Sequence, residues 1–130
     1  MSNKILTSTD IQWLYEECKK FARQGKVTSY GNVAQHLGLD LSDVDDRVHK
    51  LGGALDDMNK MERKRDSNAP MISAVVIHKA DTKYGGFKTR MPGTGFFKLA
   101  KDWGKQPKGM SDLDFFKKEL TNVFKYWKNR

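Results

Sequence analysis

The sequence predicts an α+β fold in which three helices are followed by a β-hairpin and then by two more helices. Two amphipathic runs joined by a short turn occupy residues 29–59, the pattern of a helix-turn-helix. A β-type run over residues 71–78 and a later Gly-Gly pair indicate the hairpin. This order is that of a winged helix-turn-helix, predicted for residues 1–91. Residues 92–130 are predicted to form a C-terminal helical extension packed on it as a single globular unit.

Length and composition limit the class of protein. A chain of 130 residues with 38% apolar side chains can bury the core of one domain. It lacks the roughly 18 consecutive apolar residues of a membrane span, and its first residues lack the apolar segment of a secretory signal. We therefore expect a cytoplasmic protein without a membrane partner.

The first helix is predicted over residues 10–23, with Thr9 as its N-cap and Gln12 completing a capping box. Its apolar face carries Cys18, the only cysteine, which we expect to be a buried structural thiol. One cysteine excludes an intrachain disulfide and a cysteine-based zinc site, and the three histidines lack metal-ligand spacing. We expect neither a metal nor a cofactor.

The helix-turn-helix begins where Thr28 or Ser29 can cap a short helix, and Gly38 supplies its left-handed end. Ser42 is predicted to cap the second helix. Its apolar residues follow spacings of 4, 3, 4 and 3, which predicts one buried stripe of Val44, Val48, Leu51, Leu55 and Met58. Three acidic residues are predicted at exposed positions at the start of this helix, where they stabilise its dipole and would repel phosphates: Asp43, Asp45 and Asp46.

The β-hairpin is predicted from a strand over residues 71–78, a turn over 80–86 and a returning strand over 87–91. The sequence PGTG at residues 92–95 lacks the Lys-Ser/Thr of a phosphate-binding loop, so it is interpreted as a turn before a helix anchored by Phe96 and Phe97. Ser111 is predicted to cap the last helix. Trp13 and Phe115 lie outside the apolar stripes of their helices, so we expect exposed aromatic side chains that can mark a partner surface. A dimer contact or plain packing on the extension are the alternatives.

Two motifs then suggest a family. The segments VTSYGNVA (residues 27–34) and LGGAL (51–55), followed by Asn59, Pro70 to Val76 and YGG (84–86), resemble the DNA-binding region of the alkylguanine-DNA alkyltransferase and alkyltransferase-like family. The resemblance covers residues 26–86, about half of the chain. It implies a winged helix that binds DNA, with Tyr30 near the DNA backbone.

The departures from that family concern its chemistry. Its Pro-Cys-His-Arg active site is replaced here by Pro70-Met71-Ile72-Ser73, without a thiolate nucleophile. The position of its DNA-intercalating arginine is occupied by His49, and the nearby Arg47 would lie about 200° away around the helix. Ser73 and His78 are too far apart along one strand to act together, and Asp56 and Asp57 point in different directions. We therefore predict a protein that is not an enzyme.

Charge is divided unevenly along the chain. Residues 1–59 hold 7 basic and 9 acidic side chains, whereas residues 60–108 hold 12 basic and 4 acidic, a balance of +8 that equals the net charge of the whole chain. This asymmetry predicts a face that binds a polyanion, most simply double-stranded DNA. The predicted phosphate contacts are Tyr30, with Lys50 as a weaker candidate, and four residues that we call the basic wing: Lys79, Lys83, Lys88 and Arg90. Further basic residues can join them: Arg63, Lys64, Arg65, Lys98, Lys101, Lys105 and Lys108.

Three functions stay open from the sequence. The first is a non-catalytic DNA-binding protein, a regulator or accessory of a DNA-processing or defence system. The second is a protein-interaction module, such as a phage or mobile-element inhibitor of a host enzyme, that docks through the acidic helix and exposed aromatics or forms a homodimer. The third is a sensor of damaged bases that has lost the thiol.

Overall fold

The structure is a computed structural model that describes residues 4–78 and 91–130. It is mostly helical, with a small parallel sheet of two strands. Helix α1 is Ser8–Gln24, β1 is Thr28–Ser29 and α2 is Tyr30–Leu37. A π-helix, Asp45–Gly52, continues into α3, Gly53–Arg65. A short 3₁₀ helix, Ile72–Val75, leads into β2, Val76–Ile77, and the chain ends with α4, Thr94–Asp102, and α5, Asp112–Trp127.

The helix ends follow local capping chemistry. Ser29 and Ser111 cap α2 and α5 by accepting hydrogen bonds from the N–H groups of Asn32 and Asp114, each at 3.1 Å, as predicted. Gly38 has φ of 72° at the end of α2, a conformation that favours glycine. The predicted cap of α1 was wrong by two residues: Thr7 caps the helix and Asp10 completes its capping box.

The second helix of the predicted helix-turn-helix differs from its expected register. Its first part is a π-helix, in which i→i+5 hydrogen bonds add a residue to each turn. The wider turns rotate the residues before Leu51 away from the apolar face that a regular α-helix would form. Val44 and Val48 are therefore 57% and 48% exposed, whereas Leu51, Leu55 and Met58 are buried. The prediction of one continuous buried stripe was therefore wrong at its first two positions.

The same change of register alters the acidic start of this helix. Asp46 is fully buried, where it accepts a hydrogen bond from the N–H of Asp40 at 2.9 Å and pairs with Lys50 at 2.7 Å. Asp43, rather than Ser42, accepts the first free amides of the helix, those of Asp45 and Asp46. Asp46 was predicted to be exposed and is not.

The sheet joins two distant segments. β1 and β2 run parallel, with Thr28 paired to Val76 and Ser29 to Ile77. Most of the predicted strand over 71–78 is instead 3₁₀ helix, because a continuous apolar run carries no period that separates strand from buried helix. The predicted turn over 80–86 and the predicted returning strand over 87–91, except Met91, lie outside the described residues. The N–H of His78 donates to the carbonyl of Met91 at 2.9 Å, which joins the two residues that flank segment 79–90.

The helices on both sides of segment 79–90 contribute side chains to one hydrophobic core. Phe96, Phe97 and Phe115 form an aromatic group with ring centroids 5.1–6.5 Å apart. Phe115 is 2% exposed, so its predicted exposure was wrong: α5 packs on more than its narrow apolar stripe. Trp13 is half-buried and stacks on His36 at 3.6 Å.

Two buried polar side chains at this core, Asn59 and Glu119, have hydrogen-bond partners. The side chain of Asn59 donates to Ser73 Oγ at 2.7 Å and accepts from the Ser73 N–H at 3.1 Å. Glu119 accepts from the Met71 N–H at 2.9 Å and pairs with Lys105 at 3.0 Å. These contacts fix the 3₁₀ helix against α3 and α5, since an unpaired buried polar group is costly.

The π-helix predicts that two apolar residues of this helix contribute differently to stability. Leu51→Ala should lower the free energy of unfolding by about 2–5 kcal/mol, because Leu51 is fully buried. Val44→Ala should change it by less than about 0.5 kcal/mol, because more than half of Val44 is exposed. Urea denaturation of both variants measures the difference. Equal losses for the two variants would mean that a regular α-helix, with Val44 buried, exists in solution.

Candidate functional site

A cavity of about 370 Å³ opens where the π-helix, α3, the end of β2 and the start of α4 meet. Its wall has an apolar part and a polar part. The residues of the polar part are Tyr30, Arg47, Asp56, Ser73 and His78, and the remaining lining residues are Val48, Gly52, Leu55, Gly93, Thr94, Gly95 and Phe96. A concave site with a few convergent polar groups is the usual form of a binding site for a small ligand or a single base.

Tyr30 holds one wall of the cavity together. It is 7% exposed, its hydroxyl accepts a hydrogen bond from the Gly93 N–H at 3.0 Å, and its ring stacks on His78 with centroids 4.1 Å apart. Burial raises the pKa of Tyr30 to about 12, so it stays a neutral phenol at physiological pH. A Cβ at position 93 would lie 3.3 Å from the hydroxyl of Tyr30 and 3.4 Å from Nε2 of His78, which is why glycine fits this close approach.

His78 and Arg47 lie on the same cavity. Burial lowers the pKa of His78 below its ordinary value of 6.5, and the positive charge of Arg47 acts in the same direction. The guanidinium of Arg47 donates from Nη1 to the carbonyl of Leu41 at 2.8 Å, which fixes its place at the π-helix.

Asp56 supplies the negative charge of the cavity. It is half-buried, and its carboxylate oxygens lie 3.8 and 4.0 Å from the position that a Cβ on Gly95 would take, at the start of α4. Burial raises the pKa of its carboxyl above the ordinary 3.8, while Lys60 partly opposes and Asp57 adds to this shift. Asp57, its neighbour in sequence, is exposed.

The predicted contact residues have different positions in the structure. Tyr30 lies in the cavity wall. Lys50 is partly buried and pairs with Asp46 at 2.7 Å and Asp45 at 3.7 Å, so part of its charge is used within the helix, and these carboxylates raise its pKa. The basic wing, Lys79, Lys83, Lys88 and Arg90, lies outside the described residues.

The additional basic residues are exposed, except Lys105, which is partly buried. Four of them contact neighbours: Lys101 pairs with Asp112 at 3.4 Å, Lys105 pairs with Glu119, Arg63 lies 4.4 Å over the ring of Trp103, and Arg65 pairs with Glu62.

Two other side chains considered for chemistry, Ser73 and Cys18, have structural roles. Ser73 lines the cavity but is hydrogen-bonded to Asn59, and Cys18 is buried in α1, where burial raises the pKa of its thiol. Within residues 4–78 and 91–130, no group of three or more His, Cys, Asp or Glu side chains could hold a metal ion. None of the helices in these residues is long and apolar enough to cross a membrane.

Sequence reasoning missed three of the cavity residues. Asp56 was dismissed because its neighbour points elsewhere, His78 because it lacked a partner on its own strand, and Arg47 because it lies off the face of His49. The glycines around Thr94 were the one available signal, since they permit close backbone approach before a helix.

The hydroxyl of Tyr30 is expected to contribute to the stability of the folded protein. Tyr30→Phe removes the acceptor for the Gly93 N–H, which should lower the free energy of unfolding by about 1 kcal/mol and speed hydrogen exchange at Gly93. Tyr126→Phe is the control, because its hydroxyl is bonded to Asp66 outside the cavity wall. Unchanged exchange at Gly93 in Tyr30→Phe would show that this contact is not formed in solution.

The lowered pKa of His78 predicts a pH dependence. Below pH 6.5 the unfolded chain binds a proton at His78 more readily than the folded protein, so stability falls as the pH drops through that value towards the folded pKa. Urea denaturation from pH 7.5 to 5 should detect this loss, and His78→Gln should lack that part of it. NMR titration of His78 with a midpoint above 6.5 would contradict the assignment.

Comparison of the chain with protein-family models, curated proteins and solved structures finds no match. Function is therefore inferred from the cavity, the charge distribution and the sequence motifs.

Proposed function

We propose that this protein is a non-catalytic DNA-binding protein of the winged-helix type, which contacts duplex phosphates through its basic wing. The observation that carries the proposal is the charge distribution: residues 60–108 have a balance of +8, and the 59 residues before them have −2. Clustered Lys and Arg side chains gain affinity for DNA by releasing its condensed counterions.

The order of the elements and one backbone hydrogen bond support a winged helix. The helices α2 and π-helix–α3 follow one another through a short turn that begins at Gly38, as in a helix-turn-helix. The hydrogen bond from His78 to Met91 holds the two ends of segment 79–90 together, as the base of a wing requires. In the sequence, the basic wing falls between β2 and α4.

The motifs shared with the alkyltransferase family support the same proposal. Tyr30, Gly52, Leu55 and Ser73, all within or beside those motifs, line one cavity although they come from three separate segments. The site offers no thiol, since Cys18 is buried in α1. A protein that binds DNA without alkyl transfer accounts for both facts.

The cavity favours a sensor of bases as a refinement of DNA binding. A protein that examines one base must take it out of the stack into a pocket of matching size, lined by aromatic and polar groups. The cavity beside Tyr30 and His78 has this character.

Readout by the second helix is not favoured. Asp43 and Asp45 remain at its start, where they would meet phosphates in the usual docking of a recognition helix. The basic wing is therefore expected to supply most of the affinity.

One observation favours protein interaction as an alternative function. Val44, just before the π-helix, and Val48, within it, are exposed near Asp43 and Asp45. An apolar pair edged by acids fits a protein surface better than DNA. On this alternative, changes in the basic wing have no effect and changes at Val44 and Val48 abolish partner binding.

Fluorescence anisotropy with a short random duplex across a salt series tests the proposal. Changing Lys79, Lys83, Lys88 and Arg90 to Ala should abolish most binding and reduce the salt slope by about 3 to 4, because four phosphate contacts are lost. A control variant with Lys117, Lys118, Lys125 and Lys128 changed to Ala removes the same charge from exposed positions at α5. It should bind much more tightly than the wing variant.

Two results would overturn the proposal. One is the absence of binding by the unaltered protein at low salt, which would direct attention to the protein-interaction alternative. The other is an equal loss in the two variants, which would mean that net charge rather than the basic wing attracts DNA.

A further inference from the structure

One acidic and one basic residue lie in the wall of a small cavity together with aromatic side chains. Asp56 and Arg47 both lie in its wall, together with the stacked pair Tyr30 and His78 and the ring of Phe96. We propose that the cavity binds a guanine ring and that Asp56 is the residue that determines this specificity. The inference rests on the proposed function, because it identifies the base that the cavity accepts.

The carboxylate of Asp56 selects a ligand by the hydrogen bonds that it can accept. An ionised carboxylate only accepts hydrogen bonds, and it can accept two side by side. Guanine presents two neighbouring donors, N1–H and the N2 amino group. Adenine presents one amino donor beside an N1 acceptor, so its N1 would face a carboxylate oxygen without a proton between them. Asp56 therefore favours guanine.

The same chemistry disfavours guanine alkylated at O6. Alkylation there removes the N1 proton, so N1 becomes an acceptor and only the N2 amino group can donate. A site with a half-buried carboxylate leaves that acceptor unpaired, which is costly. The specificity proposed for Asp56 thus separates this chain from an alkylguanine receptor, although guanine modified at N7 or C8 keeps the favoured pair of donors.

Arg47 adds positive charge to the wall of the cavity, which suits the O6 and N7 acceptors of guanine. Its hydrogen bond to the Leu41 carbonyl holds part of this side chain at the π-helix. A volume of about 370 Å³ accommodates a purine, being at the lower end of the range for small-molecule sites. Tyr30, His78 and Phe96 supply the apolar surface for a planar ring.

The guanine could belong to DNA or to a free nucleotide, so the experiment has two arms. In the first, short duplexes carry guanine, O6-methylguanine, 1-methylguanine or adenine opposite an abasic site, and affinity is measured by fluorescence anisotropy. In the second, guanosine and adenosine monophosphates are titrated while amide NMR signals of Gly93 and Gly95 are followed.

Asp56→Asn is the decisive variant. Its amide has one donor and one acceptor, which match N1 and the amino group of O6-methylguanine rather than the two donors of guanine. The unaltered protein should prefer guanine over O6-methylguanine and 1-methylguanine by roughly tenfold or more, and Asp56→Asn should remove or reverse the preference over O6-methylguanine. Asp57→Asn, the exposed neighbour, should keep the original preference.

The outcomes separate this inference from the proposed function. Tight binding to all four duplexes without discrimination would overturn the guanine specificity and leave DNA binding in place. Loss of duplex binding with Asp56-dependent binding of guanosine monophosphate would overturn DNA binding and support a free nucleotide as the source. Absence of a guanine preference in both arms would overturn the inference even if Asp56→Asn failed to fold, because the unaltered protein alone decides that result.

Discussion

The side chain of Tyr30 joins three segments that are distant in sequence. Its backbone starts α2 directly after β1, its ring stacks on His78 at the end of β2, and its hydroxyl accepts the N–H of Gly93 just before α4. The parallel pairing of β1 with β2 brings these segments together, and Gly93 permits the close approach. The cavity exists because this junction fixes the start of α4 opposite α3, so the site depends on one buried phenol.

Features decided by neighbouring residues could be predicted from the sequence. Ser29, Ser111 and Gly38 define helix ends because a cap or a left-handed residue acts within one turn. The register of the second helix could not be predicted. Its apolar spacing satisfies a regular α-helix, whereas the π-helix buries Asp46 with Lys50 and leaves Val44 exposed. Such a preference depends on pairing inside the fold, which spacing alone does not encode.

The candidate site was less predictable than the helices. Tyr30 was identified through the resemblance of its motif, but Arg47, Asp56 and His78 become neighbours only when the π-helix, α3 and β2 surround the start of α4. Each has an ordinary place in its own element, so no local pattern distinguishes it. Lys50 illustrates the reverse case, since a residue chosen for its position on a helix is partly committed to Asp46.

The central proposal is that the protein binds DNA through both the cavity and the basic wing. NMR titration of the isotopically labelled protein with a short duplex that contains a guanine opposite an abasic site tests it most directly. The account predicts that the largest amide shifts occur at Tyr30, Arg47, Asp56 and residues 93–96, together with residues 79–90, and that α1 and α5 change little. Shifts confined to α1 and α5, or the absence of shifts at low salt, would contradict it.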